Sequence, residues 1–99
     1  MVASAVISDF NIIRTGGDLT ARMELQIETG VIVFGGSNLF IGSSYMGHFI
    51  FRCMEIASVA TIMQLDGVSI LVEIEDDIVT GIGNYSGHWF HPAHEFFEV

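Results

Sequence analysis

Three histidines recur at every third residue near the end of the chain, at His88, His91 and His94. Zinc sites often take histidines three or four residues apart on a helix. Pro92 lies inside this motif and disfavours a helical conformation at the residue before it. We therefore expect solvated imidazoles with neither a metal nor another cofactor, and the three histidines are the residues to test for zinc.

Acidic side chains cluster around one predicted turn, at Glu73, Glu75, Asp76 and Asp77. They lack the alternating ligands of a calcium-binding loop. The whole chain has 12 acids, three arginines and no lysine, for a net charge of -9. Nucleic-acid backbones and anionic membranes repel such a chain. We expect the acids to face a basic protein surface, with the aromatic residues Trp89 and Phe90 beside them.

A second group of residues could bind a phosphorylated ligand. Arg22 and Arg52 are candidates for the phosphate, and Trp89 could stack on a base. The Gly35–Gly36 backbone would allow close approach, although FGGSN has neither the spacing nor the lysine of a phosphate loop. Because the chain has few cations, this alternative places the site at a subunit interface.

No nucleophile is accompanied by its base at a catalytic spacing. Cys53 and His48 are five residues apart, so on a helix they point to different sides. We predict that Cys53 is a buried small hydrophobe and that the protein is not an enzyme. A small metal-dependent enzyme built on the histidines is the third alternative.

Three strands are predicted in the first third of the chain. LTARMELQIE, residues 19–28, alternates between apolar and polar side chains, which is typical of a half-buried antiparallel strand. Residues 4–13 and 31–34 are rich in β-branched and aromatic types, with turns at Gly16–Gly17 and Gly30. We predict a meander.

One helix is predicted, over residues 48–59, because Phe49, Cys53 and Ile56 recur at helical spacing. The glycine- and serine-rich segment 35–47 before it is predicted to be an irregular loop. Strand periodicity returns after the helix, in residues 68–75 and 78–85, joined by a turn at Asp76–Asp77. The chain is thus predicted to be a single α+β domain, residues 1–99. Its five-stranded, mostly antiparallel sheet has the order β-β-β-α-β-β, with one main helix and an aromatic C-terminal tail.

The composition is unusually apolar for a short chain. Of 99 residues, 51% are hydrophobic, and the mean hydropathy is +0.56. A chain of this size buries only about 60–65% of its unfolded surface, so we predict a homodimer or higher oligomer. The tail aromatics either cover their own core or reach a partner. A lone cysteine fits a reducing, cytoplasmic compartment.

Short motifs in a fixed order run along nearly the whole chain: Phe34-Gly35-Gly36, Gly47-x-Phe49-Ile50 with Arg52 and Met54-Glu55-Ile56, Leu65-x-Gly67, Ile82-Gly83, and Trp89-Phe90-x-Pro92 with Glu95-Phe96. In this order the chain resembles a family of small phage and prophage proteins of unknown biochemical role. The resemblance implies an accessory protein in a bacterial cytoplasm and assigns no catalytic residues.

The leading functional interpretation is a non-enzymatic binding protein that acts as an oligomer and occludes a basic host protein, as a host-defence antagonist or regulator. The alternative is a sponge that sequesters a nucleotide.

Overall fold

The computed structural model describes residues 1–35 and 43–97. In these ranges the chain is α+β, as predicted, and its sheet is antiparallel. The elements are β1 (Val2–Thr15), β2 (Asp18–Ile27), β3 (Gly30–Gly35), α1 (Ser43–Ala57), a 3-10 helix (Ile62–Gln64), β4 (Ser69–Glu75), β5 (Ile78–Gly83), β6 (Trp89–Phe90) and α2 (Pro92–Phe97).

The strands follow the spatial order β3-β2-β1-β4-β5-β6, so the predicted meander of the first three strands is confirmed. The sheet curls until β3 lies against β5. The predicted number of five strands is wrong, because β6 pairs through Trp89 and Phe90 with Gly83 and Ile82. Two residues are too few to show an alternating pattern.

A register shift in β1 changes which of its residues face the core. Ala5 and Ile7 are buried before the shift between Ile7 and Asp9. Beyond it Phe10 is opposite the buried Met23, so the inward positions change from odd to even. An extra residue in one strand produces this change of phase.

Helix α1 crosses the inner side of the sheet. Its predicted apolar residues Phe49, Cys53 and Ile56 are buried, and the Phe49 ring lies 5.2 Å from that of Phe34 and 5.7 Å from that of Phe90. The helix begins at Ser43, inside the segment predicted to be a loop, while residues 36–42 lie outside the described residues. No helix of the described ranges is long and apolar enough to cross a bilayer.

Part of the aromatic tail covers the protein's own core. Phe90 is fully buried, and the half-buried Phe96 stacks on Tyr45 with ring centroids 4.9 Å apart. Pro92 begins α2, where its missing N–H is tolerated, and the His91 carbonyl accepts hydrogen bonds from the first turn. Phe90 and Phe96 therefore cover the protein's own core, which is the first of the two roles predicted for the tail.

Candidate functional site

Two glycines of β5 lie under two aromatic rings. A Cβ atom built on Gly83 would come within 2.6–2.8 Å of three ring atoms of Trp89, and one on Gly81 would overlap the imidazole of His91. Both rings therefore lie flat against the β5 backbone, nearly parallel to each other, with centroids 5.7 Å apart. Sequence reasoning missed these glycines, although an isolated glycine in a strand often marks such a close approach.

A row of outward-facing residues crosses the sheet beside Trp89. Ser4 pairs with Leu71, Leu71 with Gly83, and Gly83 with Trp89. The Tyr85 hydroxyl donates a 3.4 Å hydrogen bond to Ser4 Oγ and remains 65% exposed. We call this side of the sheet the outer face, formed by the side chains of Val2, Ser4, Leu71, Glu73, Tyr85 and Trp89.

Glu73 is the partly buried acid of the outer face. Its carboxylate accepts a 3.0 Å hydrogen bond from Thr80 Oγ, and His91 Nε2 lies 3.2 Å away. These contacts fix the carboxylate and orient the His91 ring over Gly81. Glu73 therefore supplies a positioned negative charge.

The remaining predicted acids extend the outer face to the end of β4. Glu75, Asp76 and Asp77 are exposed at the β4–β5 connection, which we call the acidic turn. Asp76 and Asp77 have φ angles of 52° and 64°, as in the two-residue turns that join antiparallel strands. The turn predicted at these two residues is confirmed, and it leaves three carboxylates in solvent.

A cleft opens between the C-terminal end of α1 and the loop that joins β5 to β6. We call it the loop cleft; its volume is about 460 Å³. Asn84 fixes the loop, because its Oδ1 accepts from the backbone N–H groups of Ser86 and His88 and its Nδ2 donates to the Ile56 carbonyl. The lining residues are Arg52, Glu55, Ile56, Ser58, Asn84, Ser86, His88 and Trp89.

Arg52 joins α1 to the tail at the wall of the loop cleft. Its guanidinium donates to Glu95 at 3.0 Å, to the Trp89 carbonyl at 3.0 Å and to Glu55, and it lies 5.2 Å from the centroid of the Phe90 ring. Arg52 and Glu55 are three residues apart on α1, a spacing at which helical side chains meet. Arg52 is thus paired both with Glu55, which lines the cleft, and with Glu95, which does not and also lies 2.9 Å from His48 Nε2.

The predicted contact residues divide between surface and core. Glu73 and Glu75 lie on the same side of the sheet as Trp89, and Asp76 and Asp77 follow them in the turn. Phe90 was predicted to join them, but it is 0% exposed. Successive strand residues point to opposite faces, so the outward position of Trp89 requires Phe90 to point inward.

The residues of the alternative phosphate site form two separate pairs. Arg52 and Trp89 meet at the loop cleft, whereas Arg22 is opposite Gly35 across β2 and β3 and forms an ion pair with Glu24. Gly35 has a φ of 89° and is covered by the Phe49 ring, so its backbone packs against α1. Gly36 lies outside the described residues.

The histidines do not share one site. His88 is exposed in the loop, whereas His91 contacts Glu73 and lies 5.7 Å from the His94 ring. Within residues 1–35 and 43–97, no group of three metal-ligating side chains converges.

Cys53, predicted to be a buried hydrophobe, is indeed fully buried, and burial raises the pKa of its thiol far above the usual range. This shift keeps the thiol protonated, the form that is neither a nucleophile nor a metal ligand.

Compared with protein-family models, with curated proteins and with solved structures, the chain matched none.

Proposed function

We propose that this chain is a non-enzymatic protein-binding module that occludes a basic surface of another protein. The observation that carries the proposal is that strand β4 supplies Glu73 to the outer face and leads directly into the acidic turn. We further propose the setting implied by the sequence resemblance, an accessory protein of a phage or prophage acting on a host protein in the bacterial cytoplasm.

The outer face has the composition of a binding surface. Val2 and Tyr85 are 54% and 65% exposed, and Trp89 lies between them and the loop cleft. Tyrosine and tryptophan provide much of the binding energy in protein interfaces. The acidic turn adds three charges at the border, where charge raises association rates and selects partners. Together these features support binding to a partially apolar, basic surface.

Most of the outer face is held in place by the fold. Apart from Tyr85, its residues belong to paired strands, the Trp89 ring rests on Gly83, and Glu73 contacts two side chains. A surface that is already ordered loses less conformational entropy on association. This rigidity supports occlusion by a preformed surface.

Self-association would use a different part of the molecule. Ile12 and Leu19, on the same face of the β1–β2 hairpin, are 46% and 37% exposed. We propose that these side chains meet a second copy. Sedimentation should give a dimer or larger species for the parent protein and a monomer for the double variant Ile12→Thr/Leu19→Thr; a monomeric parent would refute this part.

The binding proposal is tested by removing charge from the acidic turn without changing its backbone. Asp76→Asn/Asp77→Asn suits the test, because asparagine tolerates positive φ as aspartate does. The control Asp18→Asn/Asp66→Asn removes two exposed carboxylates elsewhere. Proteins captured from a bacterial lysate should be purified and their affinities measured at low and high salt.

We expect the captured partner to be basic and its affinity to fall about threefold to tenfold in the acidic-turn variant but not in the control. High salt should reduce affinity for the parent and remove the difference between the variants. An acidic partner, or equal affinities of both variants at low salt, would overturn the proposal.

A small-ligand function is the second candidate, supported by Arg52 and Trp89 at one cleft. A nucleotide bound there would raise the melting temperature in proportion to the logarithm of its concentration. The pairing of Arg52 with Glu55 and Glu95 makes the cleft a poor site for phosphate, which is why we place this candidate second.

A further inference from the structure

Strand β1 extends beyond the neighbour on one of its two sides. It pairs with β2 as far as Thr15, but its pairing with β4 ends at Val6, and the last backbone bonds on that side are made by Ile7. Within residues 1–35 and 43–97, no strand pairs with this side of residues 9–15, which we call the free edge. We propose that the free edge pairs antiparallel with the free edge of a second copy. This inference rests on the self-association proposed above and specifies how two copies meet.

The free edge offers backbone hydrogen-bonding groups at every second residue. Thr15 is opposite Asp18 across a two-residue turn, and the bonds of an antiparallel pair alternate along each strand. Counted back from Thr15, every second residue bonds to β2. The N–H and C=O groups of the residues between them point to the free edge: Phe10, Ile12 and Arg14. Such a row of groups is a template for another strand.

The sequence of the free edge permits this pairing. Natural edge strands are commonly blocked by proline, by lysine or by a bulge. Residues 10–15, FNIIRT, contain neither proline nor lysine, and the bulge of β1 lies before them. Ile12 and Ile13 are 46% and 36% exposed and point to opposite faces. A strand with β-branched residues on both faces is well suited to continue a sheet.

The distribution of charge favours a second copy at this place. The chain has a net charge of -9, and such a charge opposes self-association through most surfaces. Residues 10–21 contain one arginine and one aspartate, Arg14 and Asp18, so this part of the hairpin has no net charge. The acidic turn follows Glu73, which is opposite Val2 at the other end of β1. Two copies joined at their free edges therefore keep their acidic turns away from the contact.

One register uses the whole free edge without opposing like charges. Three two-fold pairings can be centred on a residue whose backbone groups are free. Centred on Ile12, the pairing places Arg14 opposite Phe10 of the second copy, where the guanidinium can contact the aromatic ring. Centred on Arg14, it would place two positive charges opposite each other, which is destabilising. Centred on Phe10, it would require the backbone groups of Ile7, which are already bonded to the loop before β4.

Hydrogen exchange, resolved by residue with NMR over a series of protein concentrations, tests the backbone pairing without any substitution. The N–H groups of Ile12 and Arg14 are open to water in a monomer and bonded in the proposed dimer. Their exchange should slow about tenfold or more as the protein dimerises. The N–H groups of Asn11 and Ile13 should change less, because they bond to β2 in both states.

Cysteine cross-linking tests the register. In the pairing centred on Ile12, Asn11 is opposite Ile13 of the second copy in a non-hydrogen-bonded pair, with Cα atoms about 4.5 Å apart, a separation that a disulfide spans. Each residue lies only diagonally from its own copy, at about 7–8 Å. A mixture of Asn11→Cys and Ile13→Cys should therefore form the mixed disulfide about tenfold or more faster than either symmetric one. Val31→Cys, an exposed position on β3, is the control partner for Asn11→Cys, and the buried Cys53 does not compete.

The outcomes separate this inference from the proposals on which it rests. If sedimentation gives a dimer but Ile12 and Arg14 exchange at one rate at all concentrations, or Val31→Cys links as fast as Ile13→Cys, the copies meet by side chains alone and only this inference fails. A monomeric parent would refute self-association and this inference together. Asp76→Asn/Asp77→Asn should weaken capture of the basic protein and leave both readouts unchanged, so binding of the basic partner is judged independently.

Discussion

Replacing Gly83 by alanine tests whether the indole of Trp89 lies flat on β5. The new Cβ would meet three ring atoms at 2.6–2.8 Å, whereas ordinary contacts begin at 3.4 Å. The ring must move by roughly 0.7 Å, or β6 must move with it. Gly83 has no left-handed backbone angle, so the cost comes from this contact and not from backbone strain.

The expected loss follows from two opposing effects. Overpacking a fitted contact costs about 1–3 kcal/mol. Alanine in a strand is favoured over glycine by about 0.5–1 kcal/mol, because the unfolded glycine chain is more flexible. The net destabilisation of Gly83→Ala is therefore about 1–2 kcal/mol. For a domain of this size, that lowers the melting temperature by about 4–16 °C.

Thermal unfolding followed by circular dichroism measures this loss, and fluorescence of the single tryptophan should move to longer wavelength as the ring lifts into water. Gly17→Ala is the control, because nothing lies within 4 Å of its Cβ and its φ is not left-handed. In a Trp89→Leu background the cost of Gly83→Ala should fall by about 1 kcal/mol or more. A parent-like Gly83→Ala protein with unchanged fluorescence would show that the ring does not lie there.

Three further substitutions have outcomes set by burial and contact. Cys53 should resist thiol reagents until the protein unfolds. Because burial raises its pKa, its contribution to the free energy of unfolding is full below about pH 8.5 and falls by up to about 1.4 kcal/mol per pH unit above it. In pH-dependent denaturation, Cys53→Ala should remove this slope. Arg52→Lys should cost about 1–2 kcal/mol by losing the fork that joins Glu95 to the Trp89 carbonyl, and hydrogen exchange should rise in α2. Gly35→Ala should cost about 2–4 kcal/mol in urea unfolding, because its φ is 89° and its Cβ would meet the Phe49 ring at 2.7 Å. Unchanged stability of Arg52→Lys or of Gly35→Ala would contradict the respective prediction.

Elements that bury one face were predictable from the sequence. In β2, Ala21, Met23 and Leu25 alternate with polar residues and are fully buried. In α1, Phe49 and Cys53 recur at helical spacing and lie in the core. Each pattern follows directly from the geometry of its element, because one side contacts the core and the other contacts water.

The elements that were missed have no such pattern. Strand β6 has two residues, and β1 changes its inward positions at a bulge. The first turn of α1 contains serines that resemble a loop, yet Tyr45 and Met46 pack against the core. Tertiary contacts decide these cases, since local sequence preferences differ by less than the free energy of burying such side chains.

The candidate site was partly predictable for a related reason. The acids and Trp89 could be selected by chemical type, because charge and aromatic area are visible in the sequence. Their supports, Gly81, Gly83 and Asn84, act through backbone approach and loop hydrogen bonds, which depend on the pairing of β5 with β6.

Trp89 is central to the outer face, and its position follows from constraints on its neighbours. Phe90 must point into the core beside Phe49, so Trp89 must point outward. Gly83 then allows the ring to lie on the strand, while the Trp89 carbonyl is held by Arg52. A side chain at position 83 would lift the ring and change the outer face. Binding of the basic protein should therefore weaken in Gly83→Ala, as it should in the acidic-turn variant.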